Sequence, residues 1–227
     1  MTQHSSIRKD WDLIESMIEE NSKILDIGCG EGHLIKQLEK NKKADTRGIE
    51  IDGDLVRNSI NNGMNVVQGN AEKDLKQYSD HSFDYVILSQ TLQAMYNPKI
   101  VLYELLRIGA KAIVSFPNFG HWNVRLQLLF RGKMPVTKDL PYTWYNTPNI
   151  HFFTLKDFQE MCKESKINIE KSIGLTNQNK QFEITNNSYF PNLIVNEAIF
   201  LLSKRTFEPI KIKSKQKIFT NPKIIIN

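Results

Sequence analysis

Apolar residues recur along this chain in two alternating rhythms, and that alternation predicts the fold. Residues 7–20 place Ile7, Trp11, Ile14, Met17 and Ile18 at helical spacing. A short apolar run at 23–27 reads as a strand, and 33–40 return to a helix. Strands are predicted at 48–52, 66–70 and 83–89. The last of these, Phe83-Asp84-Tyr85-Val86-Ile87-Leu88-Ser89, is apolar almost throughout, as suits a strand covered on both faces. A helix at 97–108, a strand at 111–116, a helix at 155–165 and strands at 168–175 and 193–203 complete the series. Strands alternating with helices give an α/β fold: a mostly parallel, doubly wound, seven-stranded sheet with helices on both faces.

The rhythm pauses between 117 and 153. This segment is unusually aromatic, with Phe119, Trp122, Phe130, Tyr142, Trp144, Tyr145, Phe152 and Phe153. Within it, 121–131 reads as an amphipathic helix with Trp122, Leu126, Leu129 and Phe130 on its apolar side and Gly132 at its end. Three roles suit such a segment: part of the core, a lid over a substrate, or a protein interface.

The densest chemical signal lies at 24–32, Ile-Leu-Asp-Ile-Gly-Cys-Gly-Glu-Gly. A strand ends in Asp26, turns through Gly28, Gly30 and Gly32, and enters a helix. Glycines let the backbone bend sharply and approach a ligand closely. A dinucleotide fingerprint needs a third glycine five residues after the first, and His33 stands there. No Gly-Lys-Ser/Thr follows, so the phosphate-loop reading fails as well. Asp-x-Gly-x-Gly-x-Gly instead resembles motif I of class I S-adenosylmethionine-dependent methyltransferases. A bound S-adenosylmethionine, or its product S-adenosylhomocysteine, is the cofactor this motif implies.

That cofactor needs carboxylates for its ribose and ammonium groups and an apolar slot for adenine. Asp26 is placed for the first turn. Glu50 ends the second strand, 18 positions after Gly32, where a carboxylate accepts both ribose hydroxyls. Asp52 competes with it on the same strand face. Ile51 is expected against the adenine. Asn70, with Ala71 beside it, stands where the resembling family has an Asp, and its amide oxygen can accept the adenine amino group. Ser89 and Gln90 would line the mouth. Cys29 is read as a small residue of the turn, lining the cofactor, and not as a nucleophile. His121 and His151 are read as structural. No catalytic residue is identified, no cluster has metal-ligand spacing, and Ser89-Gln90-Thr91-Leu92 lacks the pattern common among amino-group methyltransferases.

Charge narrows the partners. The 227 residues carry a net charge of +5, but the segment from Lys204 onward holds seven Lys/Arg and one Glu. The remainder is nearly neutral, which argues against a nucleic-acid surface. The expected organisation is a domain at 1–204 and a basic C-terminal tail at 205–227. With no apolar leader or membrane-length run, a cytoplasmic location is expected. Cys29 and Cys162 are expected as free thiols.

Longer strings carry a narrower resemblance. Phe83 through Ala94, Ala112-Ile113-Val114-Ser115-Phe116-Pro117-Asn118-Phe119-Gly120-His121-Trp122, Gly132-Lys133-Met134-Pro135-Val136-Thr137 and Leu140-Pro141-Tyr142 resemble the MetW family of methionine biosynthesis proteins. The resemblance implies a Rossmann-like class I methyltransferase fold. It also implies association with homoserine O-acyltransferase as an accessory or activating subunit, with no firmly established methyl acceptor. The alternative it leaves open is an S-adenosylmethionine-dependent methyltransferase acting on an unidentified small molecule.

Overall fold

The computed structural model describes residues 8–137, 140–185 and 189–204. In chain order its strands are β1 (Lys23–Ile27), β2 (Asp45–Glu50), β3 (Val66–Gln68), β4 (Phe83–Ser89), β5 (Gly109–Pro117), β6 (Ile167–Leu175), β7 (Gln181–Glu183) and β8 (Glu197–Lys204). Its helices are α1 (Lys9–Ser16), α2 (His33–Lys42), α3 (Gly53–Asn61), α4 (Ala71–Asp74), α5 (Pro98–Ile108), α6 (Trp122–Arg131), α7 (Leu155–Glu164) and α8 (Tyr189–Ile194). The strands form one sheet in the order β3-β2-β1-β4-β5-β8-β6-β7. The first five in that order are parallel, and β8 joins β5 antiparallel.

Strand residues feed two core layers alternately, as the period of two requires. Tyr85 and Ile87 of β4 pack with Ile14, Leu34 and Leu38 of the α1–α2 face. Val86 and Leu88 pack with Leu102, Leu105 and Phe158 of the α5–α7 face. Phe116 anchors the second layer, with Phe153 and Phe158 at 4.7 Å and Phe200 stacked at 5.6 Å. Chain order reverses between β1 and β4, which leaves a crevice beyond the carboxyl ends of those strands.

The expected sheet of seven strands has eight. The polar stretch at 176–192 contains β7, which pairs with β6 through Ile173↔Glu183 to Leu175↔Gln181. It also contains most of α8, so Leu193 is helical and the last strand starts at Glu197. Three residues with a half-exposed pattern give too little periodicity for β7 to be read from sequence. The first helix ends at Ser16. The basic tail at 205–227 lies outside the described residues.

α6 bears on the three roles left open for the aromatic segment. Trp122, Leu126, Leu129 and Phe130 are 48, 41, 73 and 78% exposed, and Val124 alone of the helix is buried. Amphipathic spacing identifies an apolar face but not what covers it. The core reading of the aromatic segment holds for Phe153, which packs on Phe116, and not for Trp144 or Tyr145, both more than 70% exposed.

Candidate functional site

β1 delivers Asp26 to the crevice and the chain then turns through Gly28, Gly30 and Gly32 at φ +71°, +57° and +75°. These left-handed conformations are the reason for glycine here. At Gly30 a Cβ would meet nothing within 4 Å, so this residue faces open space of the kind a ligand takes. The turn is tied to β2: Gly28 N–H donates to Ile49 O at 2.8 Å and Gly30 N–H to Glu50 Oε2 at 2.8 Å.

Asp26 is 3% exposed, and no hydrogen bond reaches its carboxyl group among the described residues. Burial pushes its pKa up to about 7, the Arg8 guanidinium pulls it back, and the Glu50 charge adds to the rise. A nearly buried carboxylate without a hydrogen-bond donor is costly, and a cationic ligand group would relieve that cost. Glu50 is different. Besides Gly30, its carboxylate accepts the N–H groups of Ile51 at 2.8 Å and Asp52 at 3.0 Å. Roughly one of its four acceptor sites stays open. Asp52 does not compete for a ligand: it caps α3, accepting from Asp54 N–H at 2.8 Å.

Asn70 sits at the predicted strand end, but its Oδ1 accepts Glu72 N–H at 3.0 Å and caps α4, while its own N–H donates to Asp74. The oxygen expected to receive the adenine amino group therefore already serves a helix terminus. Ala71 is buried behind it, and Ile51 lies at the rim, 63% exposed. Cys29 is half-buried, and burial, with the Asp26 and Glu50 charges, raises its thiol pKa far above the ordinary value. It is therefore a packed thiol and not a nucleophile. His121 caps α6, its Nδ1 accepting Asn123 N–H at 3.2 Å, which fits a structural role. The described residues hold no group that would bind a metal, and among them no helix is long and apolar enough to cross a membrane.

Sequence reasoning missed a cluster at the mouth. Ser89 Oγ lies 3.1 Å from Ser115 Oγ and accepts from Arg8 Nη2 at 3.1 Å. Arg8 also pairs with Asp10, itself 2% exposed. Gln90 holds a left-handed φ of +54° and hydrogen-bonds Glu197 through its side chain. Burial, aided by the Asp10 charge, pushes Glu197 up to about 8. Such strain in a non-glycine residue collects at functional sites. The available signal was slight: an acid heading an otherwise apolar strand at 197, and an Asp in the first turn of a helix.

The sheet order, the crevice and the glycine turn with its two acids define a Rossmann-like fold of the class I S-adenosylmethionine-dependent methyltransferases. A methyltransferase structure from Thermotoga maritima, described as a possible histamine N-methyltransferase, superposes with a TM-score of 0.63 at 16% identity. It covers 86% of this chain and 87% of its own. One from Methanosarcina mazei gives 0.60 at 19% identity, covering 85% and 96%. The chain belongs to the MetW family, whose model, methionine biosynthesis protein MetW, matches residues 8–202. It is 29% identical over 204 residues to the bifunctional methionine biosynthesis protein MetXA/MetW of Rhodopirellula baltica, covering 86% of this chain and 32% of that protein. A protein of Methanocaldococcus jannaschii is 28% identical over 143 residues, 62% of each chain. The chain thus spans about a third of the first relative and under two thirds of the second.

Proposed function

We propose that this chain binds S-adenosylmethionine and assists or activates homoserine O-acyltransferase, so that the occupied site reports the output of methionine synthesis to an earlier enzyme. The observation that carries this reading is the Rhodopirellula relative, in which a MetXA part and a MetW part share one chain. We take the MetXA part to be the acyltransferase.

The residues fit the cofactor. Asp26, 3% exposed, would hold the ammonium group. Glu50 would take a ribose hydroxyl, and Gly28, Cys29, Gly30 and Gly32 would lie along the methionyl and ribose parts. Ile51 would cover the adenine, with Asn70 and Ala71 at its edge and Ser89 and Gln90 at the mouth. When bound, the cofactor supplies a sulfonium methyl group. The chain's own contribution is to bind and orient it.

One observation favours the second reading, a methyltransferase. A cleft of about 200 Å³ opens beside the end of β5, lined by Asn118, His121, Asn123, Gln127 and Asn196 among others. Its polar lining would suit a small uncharged acceptor. The two readings separate in one set of assays. Acyltransferase activity measured with and without the chain, each with and without S-adenosylmethionine, should rise with the chain and shift with the cofactor. No change in either comparison removes the accessory role, and S-adenosylhomocysteine formation that depends on an added acceptor would establish the enzyme.

A further inference from the structure

The exposed face of α6 and the loop after it has no counterpart in the site just described. A ten-residue helix whose apolar residues fall at 122, 126, 129 and 130 has the spacing of a helix that buries one side. Leu129 and Phe130 nevertheless stand 73 and 78% exposed. Trp144 and Tyr145 add two more rings at 71 and 73% exposure, edge to face with centroids 5.6 Å apart. Trp144 shares a small pocket with Met134, Pro135 and Phe152, which sets the loop beside the residues that follow α6, and large exposed apolar surface of this kind marks interaction sites.

We infer that this face, centred on Leu129, Phe130, Trp144 and Tyr145, is the docking surface for the homoserine acyltransferase, an inference that rests on the accessory reading above. Two observations favour that occupant. The Rhodopirellula relative has about two thirds of its length outside the part that matches this chain. Joining two modules in one chain raises their effective concentration and suits parts that meet. The charged residues described within 119–153 are Arg125, Arg131 and Lys133, all basic, and such a rim fits a partner surface of acidic sign.

The docking loop is also wired to the cofactor mouth. Gln93 O accepts the N–H groups of Ile150 at 2.8 Å and His151 at 2.9 Å, while Gln93 Nε2 donates to Gln90 O at 2.8 Å. Two hydrogen-bonded steps thus join the loop to Gln90, which lies beside Ser89 at the cofactor mouth. Gln93 is 5% exposed, and its Oε1 has no hydrogen-bond partner among the described residues.

The test is calorimetric titration of the full chain against the acyltransferase from the same organism, for wild type, Leu129→Glu/Phe130→Glu, Trp144→Ser/Tyr145→Ser and a control, Ile60→Glu, at an exposed apolar position on α3. Both double variants should lose at least 100-fold in affinity for the acyltransferase. S-adenosylmethionine affinity and melting temperature should stay as in wild type, and the control should bind normally. Double variants that bind like wild type overturn the surface assignment and leave the accessory reading intact. A wild-type chain that does not bind overturns both. Should the wild type sediment as a dimer that the double variants break, a second copy of this chain is the occupant and the inference fails. The two variants lie on separate segments, so misfolding of one leaves the other decisive.

Discussion

Asp26, the residue proposed for the ammonium group, is costly to the unliganded fold. Its pKa is raised to about 7 from an ordinary 3.8, with burial as the main cause. A raised acid favours the protonated folded state, so the unliganded protein loses stability as pH climbs from about 4 to about 7 and is level above that. Asp26→Asn should therefore raise the melting temperature of the free protein at pH 8 while weakening S-adenosylmethionine at least tenfold; thermal scans and calorimetry on the same sample check both halves. A cation needs the carboxylate form, so wild-type affinity should fall about tenfold between pH 8 and pH 6. An affinity flat over that range would remove Asp26 from the ammonium site. Gly30→Val places a β-branched residue at φ +57° and fills the open space beside the turn. Loss of cofactor binding is the expected result, and unchanged affinity would displace the site from the turn.

At the scale of elements, legibility followed periodicity and caps. β4 was read end to end because five of its seven residues are buried, on both faces, as in a central strand. α7 was placed to within one residue, and Thr154 with Asp157 forms a capping box at its start. Thr154→Ala should cost about 1 kcal/mol and lower the melting temperature by roughly 2–4 °C, measurable by calorimetric scanning. α3, α4 and α8 went unread. They have nine, four and six residues, and such short helices are held by tertiary packing more than by propensity. The same competition explains Asn70. Its amide stands beyond the strand end as expected, yet α4 begins one residue later, and the helix takes the oxygen as its cap.

For the whole molecule, a ligand that binds the folded chain alone must stabilise it by mass action. At a concentration 100 times its Kd, S-adenosylmethionine should add about 2.7 kcal/mol. That corresponds to a rise of roughly 5–10 °C in melting temperature for a domain of this size. S-Adenosylhomocysteine, without the sulfonium charge, tests how much of that gain comes from charge.

By itself the sequence determined the parallel sheet, the glycine turn and the two acids at the ends of β1 and β2. Strand period, turn chemistry and strand-end position are local properties that a short window carries. Only the tertiary structure brought Arg8, Asp10 and Glu197, nearly 190 residues apart in the chain, to the mouth where Ser89 and Gln90 lie. Only the structure showed that the apolar side of α6 faces outward. A helix's periodicity fixes which of its residues share a face, and the packing of the rest of the chain fixes whether that face is covered.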